Sequence, residues 1–217
     1  MIVTIDGPAG AGKSTVSRRL AERLGFGFLD TGAMFRAVAL AAFRADCPLD
    51  NEDGLKGLLG KIQLEMRNGR VFLDGEDVSL LLRTPEISAA SSRVAASANV
   101  RPYLADLQRK IAEGRDLVTE GRDQGTAVFP DAACKFFLTA DPGARMERRA
   151  RELETGGMVV DRAKLLAEQS ERDLRDEKRA LAPLRPAEDA LLIDSTSLSS
   201  DEVVARMERL VRDRQSR

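Results

Sequence analysis

The chain has 217 residues, enough for one α/β domain with a full core and a small insert. Its 34 basic and 35 acidic residues leave a net charge of −1, so there is no global field suited to nucleic acid or a membrane, and any basic function must be local. Histidine is absent, which excludes Ser-His-Asp and Cys-His catalysis, histidine zinc sites and every histidine general base.

Ile2, Val3 and Ile5 form an apolar, β-branched run that stops at Asp6, and an apolar-periodic segment begins a few residues later. The intervening turn contains Gly7, Pro8, Ala9, Gly10, Ala11 and Gly12, and Lys13, Ser14 and Thr15 follow. Gly7, Gly12, Lys13 and Ser14 fit G-x-x-x-x-G-K-[ST] in the strand-loop-helix context that a phosphate-binding P-loop requires. Glycines let successive N–H groups converge on one anion, and the following helix points the positive end of its dipole at the same place. Lys13 is then expected on the β- and γ-phosphates of ATP, and the Ser14 hydroxyl on Mg²⁺.

Val16, Leu20 and Leu24 continue at helical spacing to Gly25, and Phe26, Phe28 and Leu29 predict a second strand. A helix is expected over 33–45 with Thr31 as its N-cap, placing Arg36 one turn beyond the polar turn. After a short helix over 51–60 the period changes. Ile62, Leu64 and Met66 alternate with polar residues, and Asn68-Gly69 and Asp74-Gly75 are turn signals, so a small antiparallel meander is expected as an insert over 61–78. Helices are predicted over 85–98, carrying Ser92, and over 102–113, preceded by Arg101.

Leu117-Val118-Thr119 is a third strand, with Glu120-Gly121-Arg122-Asp123 at its carboxyl end. Cys134 to Thr139 is a fourth, and Pro142 opens an arginine-rich helix that breaks at Thr155-Gly156-Gly157. A helix over 162–179 follows, charged nearly all round in its second half, with Arg172, Asp176 and Arg179 on one face. Ala190 to Ile193 is the fifth strand, and a helix over 200–214 ends the chain. Each of the first three strands delivers a polar turn to its carboxyl end, where open α/β sheets bind ligands. Cys47 and Cys134 are far apart and in no metal-ligand spacing, so free thiols are expected. With no charged leader and no apolar run near ~20 residues, a cytoplasmic location outside the membrane is expected.

These residues specify a parallel P-loop sheet flanked by helices, with a small antiparallel β insert and an arginine-bearing mobile segment, and they point to a small-molecule kinase. The blocks GPAGAGKST, DTGAMFRAVAL, the serine and arginine of SSRVAASANVR, EGRDQGTAVFP, KFFLTADP, ERDLRDEKRALAPL and LIDST, in this order and spacing, resemble bacterial cytidylate kinases over essentially the whole chain. The resemblance implies a single nucleoside-monophosphate kinase domain over 1–217, with sheet order 2-3-1-4-5, a monophosphate-binding region over about 31–101 and a helical lid over about 148–172. It implies Mg²⁺-dependent phosphoryl transfer from ATP to CMP and dCMP by a monomer.

By the same match, Ser92, Arg101 and Asp123 recognise cytosine, and Arg36, Arg122 and Arg172 clamp the monophosphate. Asp176, Arg179 and Thr31 lie on its sugar and phosphate side, and Lys13, Arg122 and Arg172 act in catalysis. Phe35 stands where the family often has tyrosine, and Gln124 where an apolar residue is usual. Two other readings of the loop remain open. One is a hydroxyl-directed kinase resembling shikimate kinase, with Asp30 or Asp123 as base; the other is a nucleotide-gated switch.

Overall fold

The computed structural model of the protein describes residues 1–67 and 69–216. Five strands form one sheet: β1 (Ile2–Asp6), β2 (Gly27–Asp30), β6 (Leu117–Gly121), β7 (Cys134–Thr139) and β8 (Leu191–Asp194), in the order β2-β6-β1-β7-β8. Numbered among themselves these five run 2-3-1-4-5, as expected. The pairings of β1 with β6 and β7, and of β7 with β8, are parallel. A smaller antiparallel sheet is made of β3 (Leu64–Arg67), β4 (Arg70–Leu73) and β5 (Glu76–Asp77). Asn68, the first residue of the expected hairpin turn, lies outside the described residues; Gly69 has φ +73°.

The chain divides into two compact units, Met1–Phe28 with Gly114–Arg217, and Leu29–Glu113. In the first, the core is built from β-branched and large apolar residues of the central strands, among them Val3, Ile5, Val118, Phe136 and Leu138. Helices α1 (Lys13–Leu24) and α8 (Ser200–Gln215) pack on each other and contribute Val16, Leu20, Val204 and Met207 to that core. Strands buried on both faces read as continuous apolar runs, which is why β1, β6 and β7 were recognisable in the sequence. Two long helices complete this unit, α6 (Pro142–Thr155) and α7 (Arg162–Lys178).

The second unit contains α2 (Thr31–Arg44), α3 (Glu52–Leu59), the small sheet, a 3₁₀ turn (Leu81–Arg83), α4 (Pro85–Val94) and α5 (Val100–Ala112). Met34, Val38, Leu55, Leu73, Leu82, Val94 and Leu104 are buried in it. Among the described residues no helix is long and apolar enough to cross a membrane, and Cys47 and Cys134 are free thiols.

Two local expectations are corrected, and one feature was not anticipated. Helix α2 starts at Thr31 and is capped by Asp30, whose carboxylate accepts the Ala33 N–H at 2.8 Å, so Thr31 is the first helical residue and not the cap. Helix α4 ends at Val94, four residues early, because the Glu52 carboxylate takes the Ser97 hydroxyl and the N–H groups of Ala98 and Asn99 and turns the chain. Residues Gln124–Val128 form a π-helical turn, with i to i−5 bonds from Val128 N–H to Asp123 and from Phe129 N–H to Gln124.

Gly7 shows how tightly the first loop is fitted to the sheet. At φ +147°, a Cβ there would lie 1.9 Å from the Leu138 carbonyl oxygen, whereas a Cβ on Gly25, at φ +72°, meets nothing within 4 Å. Gly25→Ala is therefore expected to cost only the left-handed backbone strain, about 1–2 kcal/mol. Gly7→Ala must also displace the backbone of β7, at a cost of at least ~3 kcal/mol, about 6–12 °C in Tm for a chain of this size. Thermal melts of the two variants check this, and equal melting temperatures would contradict the packing argument.

Candidate active site

The phosphate loop connects β1 to α1. Gly10 and Gly12 adopt φ +75° and +89°, conformations that side chains rarely tolerate, so the loop folds back on itself above the helix. Gly12 is the N-cap of α1 and supplies no side-chain cap, and the first helical turn carries no acidic residue. An anion is the natural partner for amides left in that state. Ser14 and Thr15 are exposed at the start of the helix, while Pro8 and Ala11 are buried and Ala9 and Gly10 half-buried.

Lys13 is buried and its Nζ donates to the Pro8 carbonyl at 2.6 Å. Burial, reinforced by the positive charges of Arg122 and Arg172 and opposed by Glu120 and Asp6, pushes its pKa down to about 7. In such a buried setting the charged form of the amine is disfavoured, and an added anion would restore it.

The end of β6 supplies the neighbouring groups. The Arg122 Nε donates to Asp176 Oδ2 on α7 at 2.9 Å, and its Nη1 to the Gly121 carbonyl at 3.1 Å. Arg179, the C-cap of α7, lies 3.7 Å from Asp176 and 3.5 Å from Asp123, and its Nε donates to the Ala182 carbonyl. Burial would raise the pKa of Asp176, but the charges of Arg122, Arg172 and Arg179 outweigh it and hold the carboxyl below its usual range. Arg122, Asp123, Asp176 and Arg179 thus form one connected cluster in the first unit, and the Arg172 charge acts on both Asp176 and Lys13.

Asp6, at the end of β1, was not singled out by the sequence, yet it anchors the π-turn. Its two carboxylate oxygens accept the N–H groups of Gln124 and Gly125 at 2.9 and 2.8 Å. Burial raises its pKa to about 6 despite those two bonds, with the Asp123 charge adding to the rise and Lys13 opposing it. The sequence signal was available: a carboxylate that closes a fully buried strand needs donors close by.

Thr31, Arg36, Ser92 and Arg101 all belong to the second unit. Arg36 forms an ion pair with the capping Asp30 at 3.1 Å, and Thr31 is buried beside it in sequence. Arg101 is buried on α5, with Nη1 donating to the Ala95 carbonyl at 2.9 Å and its guanidinium 5.4 Å from the centre of the Phe35 ring. The Phe35 face therefore supports Arg101 without a hydroxyl. Glu52 fixes the turn ahead of Arg101, and the Ser97 hydroxyl accepts the Val100 N–H there. Ser92 is buried on α4, and its hydroxyl has no hydrogen-bond partner among the described residues. A buried hydroxyl without a partner costs free energy unless something supplies one.

Among the described residues no group of three or more acidic or cysteine side chains is placed to hold a metal ion. The exposed Ser14 hydroxyl at the end of the phosphate loop suits Mg²⁺ better than any such cage. That ion keeps several waters and takes much of its shell from phosphate oxygens.

A family model described as cytidylate kinase matches residues 3–213. Cytidylate kinases from Rhodopirellula baltica and Syntrophotalea carbinolica are 46% and 49% identical to this chain, covering 98% and 99% of it and 93% of each relative. A shikimate kinase from Bacteroides thetaiotaomicron superposes with a TM-score of 0.52 at 14% identity over 98% of both chains, a likeness of fold alone. Matched along nearly its whole length by the family model and by relatives at almost half identity, the chain belongs to the cytidylate kinase family and is a kinase.

Proposed function

We propose that this protein transfers the γ-phosphoryl group of ATP to CMP and dCMP with Mg²⁺, giving ADP and CDP or dCDP, as a monomer in the cytoplasm. The reading rests on membership of the family and on one physical observation. Lys13 is buried and also feels the positive charges of Arg122 and Arg172, which together outweigh Glu120 and Asp6 and depress the lysine to about 7. A buried amine in that state gains its charge back beside a polyanion, and two nucleotides brought head to head supply one.

In this reading the amides of Gly7, Pro8, Ala9, Gly10, Ala11, Gly12, Lys13, Ser14 and Thr15 form the ATP loop, excepting the proline, which has no N–H and serves to shape it. The Ser14 hydroxyl would hold Mg²⁺, which when bound neutralises charge on the phosphates. The acceptor is a phosphate oxygen of CMP, already largely ionised at pH 7 because its second pKa is near ~6. A general base is therefore unnecessary, which agrees with a chain lacking histidine. Arg36, Arg122 and Arg172 hold that phosphate against the repulsion of the donor, and Lys13, Arg122 and Arg172 stabilise the transferring group.

Thr31, Asp176 and Arg179 are assigned to the sugar and phosphate side, and Ser92, Arg101 and Asp123 to cytosine. The unpaired Ser92 hydroxyl favours that assignment, since a base edge offers the missing partner. A monophosphate-binding region over about 31–101 and a lid over about 148–172 complete the proposal, the lid excluding water and so suppressing hydrolysis of ATP.

An ADP-release assay across CMP, dCMP, UMP, AMP and GMP tests the acceptor. CMP and dCMP are expected to be fastest, and rates as high with AMP or GMP would defeat the cytosine assignment. Arg122→Ala is expected to cut turnover by at least ~10², as the loss of a charged contact to the reacting groups implies; a near-normal rate would remove Arg122 from the chemistry.

Lys13 gives a third expectation, whose sign follows from its depressed pKa. Near pH 8 the amine is mostly neutral in the protein alone, and a bound polyphosphate favours the ammonium form, so nucleotide binding takes up a proton. Below about pH 6 the amine is already charged and the uptake should vanish. Calorimetry in buffers of different ionisation enthalpy reads the proton count, and Lys13→Arg, which stays charged throughout, is expected to abolish the uptake.

A further inference from the structure

The main chain at Ala9 in the phosphate loop is gripped at its N–H and its carbonyl by side chains of the two long helices. Its N–H donates to Asp173 Oδ1 at 3.2 Å, and its carbonyl accepts from Arg145 Nη1 at 3.0 Å. Arg145 and Asp173 also form an ion pair with each other, and each residue is only 7% exposed. The Arg145 Nε donates to the Ala140 carbonyl just beyond β7, which fixes the guanidinium to the sheet. Gly10 leaves room for this arrangement, because a Cβ there would come within 3.1 Å of Arg145 and 3.2 Å of the Gln169 amide.

A buried ion pair is by itself a weak source of stability, since apolar residues of similar volume often serve as well. This pair does something apolar residues cannot, which is to bond both main-chain polar groups of a loop residue. Asp173 also lies one turn before Asp176 on α7, so the same helix face is held to the loop through one carboxylate and to Arg122 through the other. A rigid helix with two anchors cannot shift at one without moving the other.

We propose that Arg145 and Asp173 are positioning residues, a latch that couples the geometry of the phosphate loop to the placement of Arg172, Asp176 and Arg179. Nucleotide seated in the loop thereby prepares the acceptor side. The inference rests on the kinase reading above for its acceptor arm, but its loop arm does not.

The test measures ADP binding, and CMP binding with and without a non-hydrolysable ATP analogue, in wild type, Asp173→Ala, Asp173→Asn and Arg145→Lys, with thermal melts alongside. In the wild-type protein the analogue is expected to tighten CMP binding about fivefold or more, the ordinary range for coupled sites. Asp173→Ala is expected to weaken ADP binding at least ~10-fold and reduce the coupling below about twofold, because loop and helix lose their link. Asp173→Asn keeps an acceptor for the Ala9 N–H and should recover part of the ADP affinity. A wild-type protein without coupling overturns the proposal. So does an Asp173→Ala variant that melts lower while its folded fraction keeps wild-type ADP affinity and coupling. If CMP proves not to be the acceptor while the Asp173 variants still lose ADP, the function reading fails and the loop arm of the latch stands.

Discussion

Like charges confined at short range in a poorly solvated space repel strongly, by about 4 kcal/mol for a pair 4 Å apart at the effective dielectric of a protein surface. The first unit is organised around tolerating that repulsion. Asp176 lies against Arg122 and Arg179 and feels Arg172, and its carboxyl stays ionised well into acid because their charges outweigh its burial. Lys13 is buried, its Nζ bonds the Pro8 carbonyl, and burial with the charges of Arg122 and Arg172 makes it yield part of its own charge. The Asp176 carboxylate holds Arg122 and Arg179 in place, and these guanidinium groups are what a pair of phosphorylated substrates would encounter.

Rigidity matters as much as charge. Gly7 runs against the Leu138 carbonyl, Asp6 ties the β1 end to the π-turn, and Ser195 donates its hydroxyl to the Ala11 carbonyl from the loop after β8. Loops lying over strand ends are usually the mobile part of a fold, but here the backbone of neighbouring strands and turns holds them. Electrostatic stabilisation requires such fixed dipoles, because donors that must reorganise during the reaction lose most of their advantage.

The parts of this fold that can be read from sequence are those fixed by neighbours in the chain. The glycine spacing of the loop, the five short apolar strands, the meander over 61–78 and the Pro142 helix start depend on residues a few positions apart. The features that escaped depend on distant ones. Asp6 meets residues 118 and 119 positions away, Asp173 meets Ala9 across 164, and helix α4 stops early because Glu52 reaches Asn99 across 47. The Asp30 cap of α2 is the exception: it was local, and Thr31 was preferred only because both residue types cap well. On α7 the spacing of Arg172, Asp176 and Arg179 announced a shared face, but nothing in that spacing separated Asp173 from an ordinary solvated carboxylate.

The chain uses mostly arginine for its cations, 27 against 7 lysines. Guanidinium groups are inert toward electrophiles at neutral pH, whereas an amine whose pKa is about 7 spends much of its time as a free nucleophile. Burial of Lys13, with its Nζ on the Pro8 carbonyl, keeps acyl phosphates and aldehydes away from that amine. A seated polyphosphate, by favouring the ammonium form, would add a second safeguard to the one the loop already supplies.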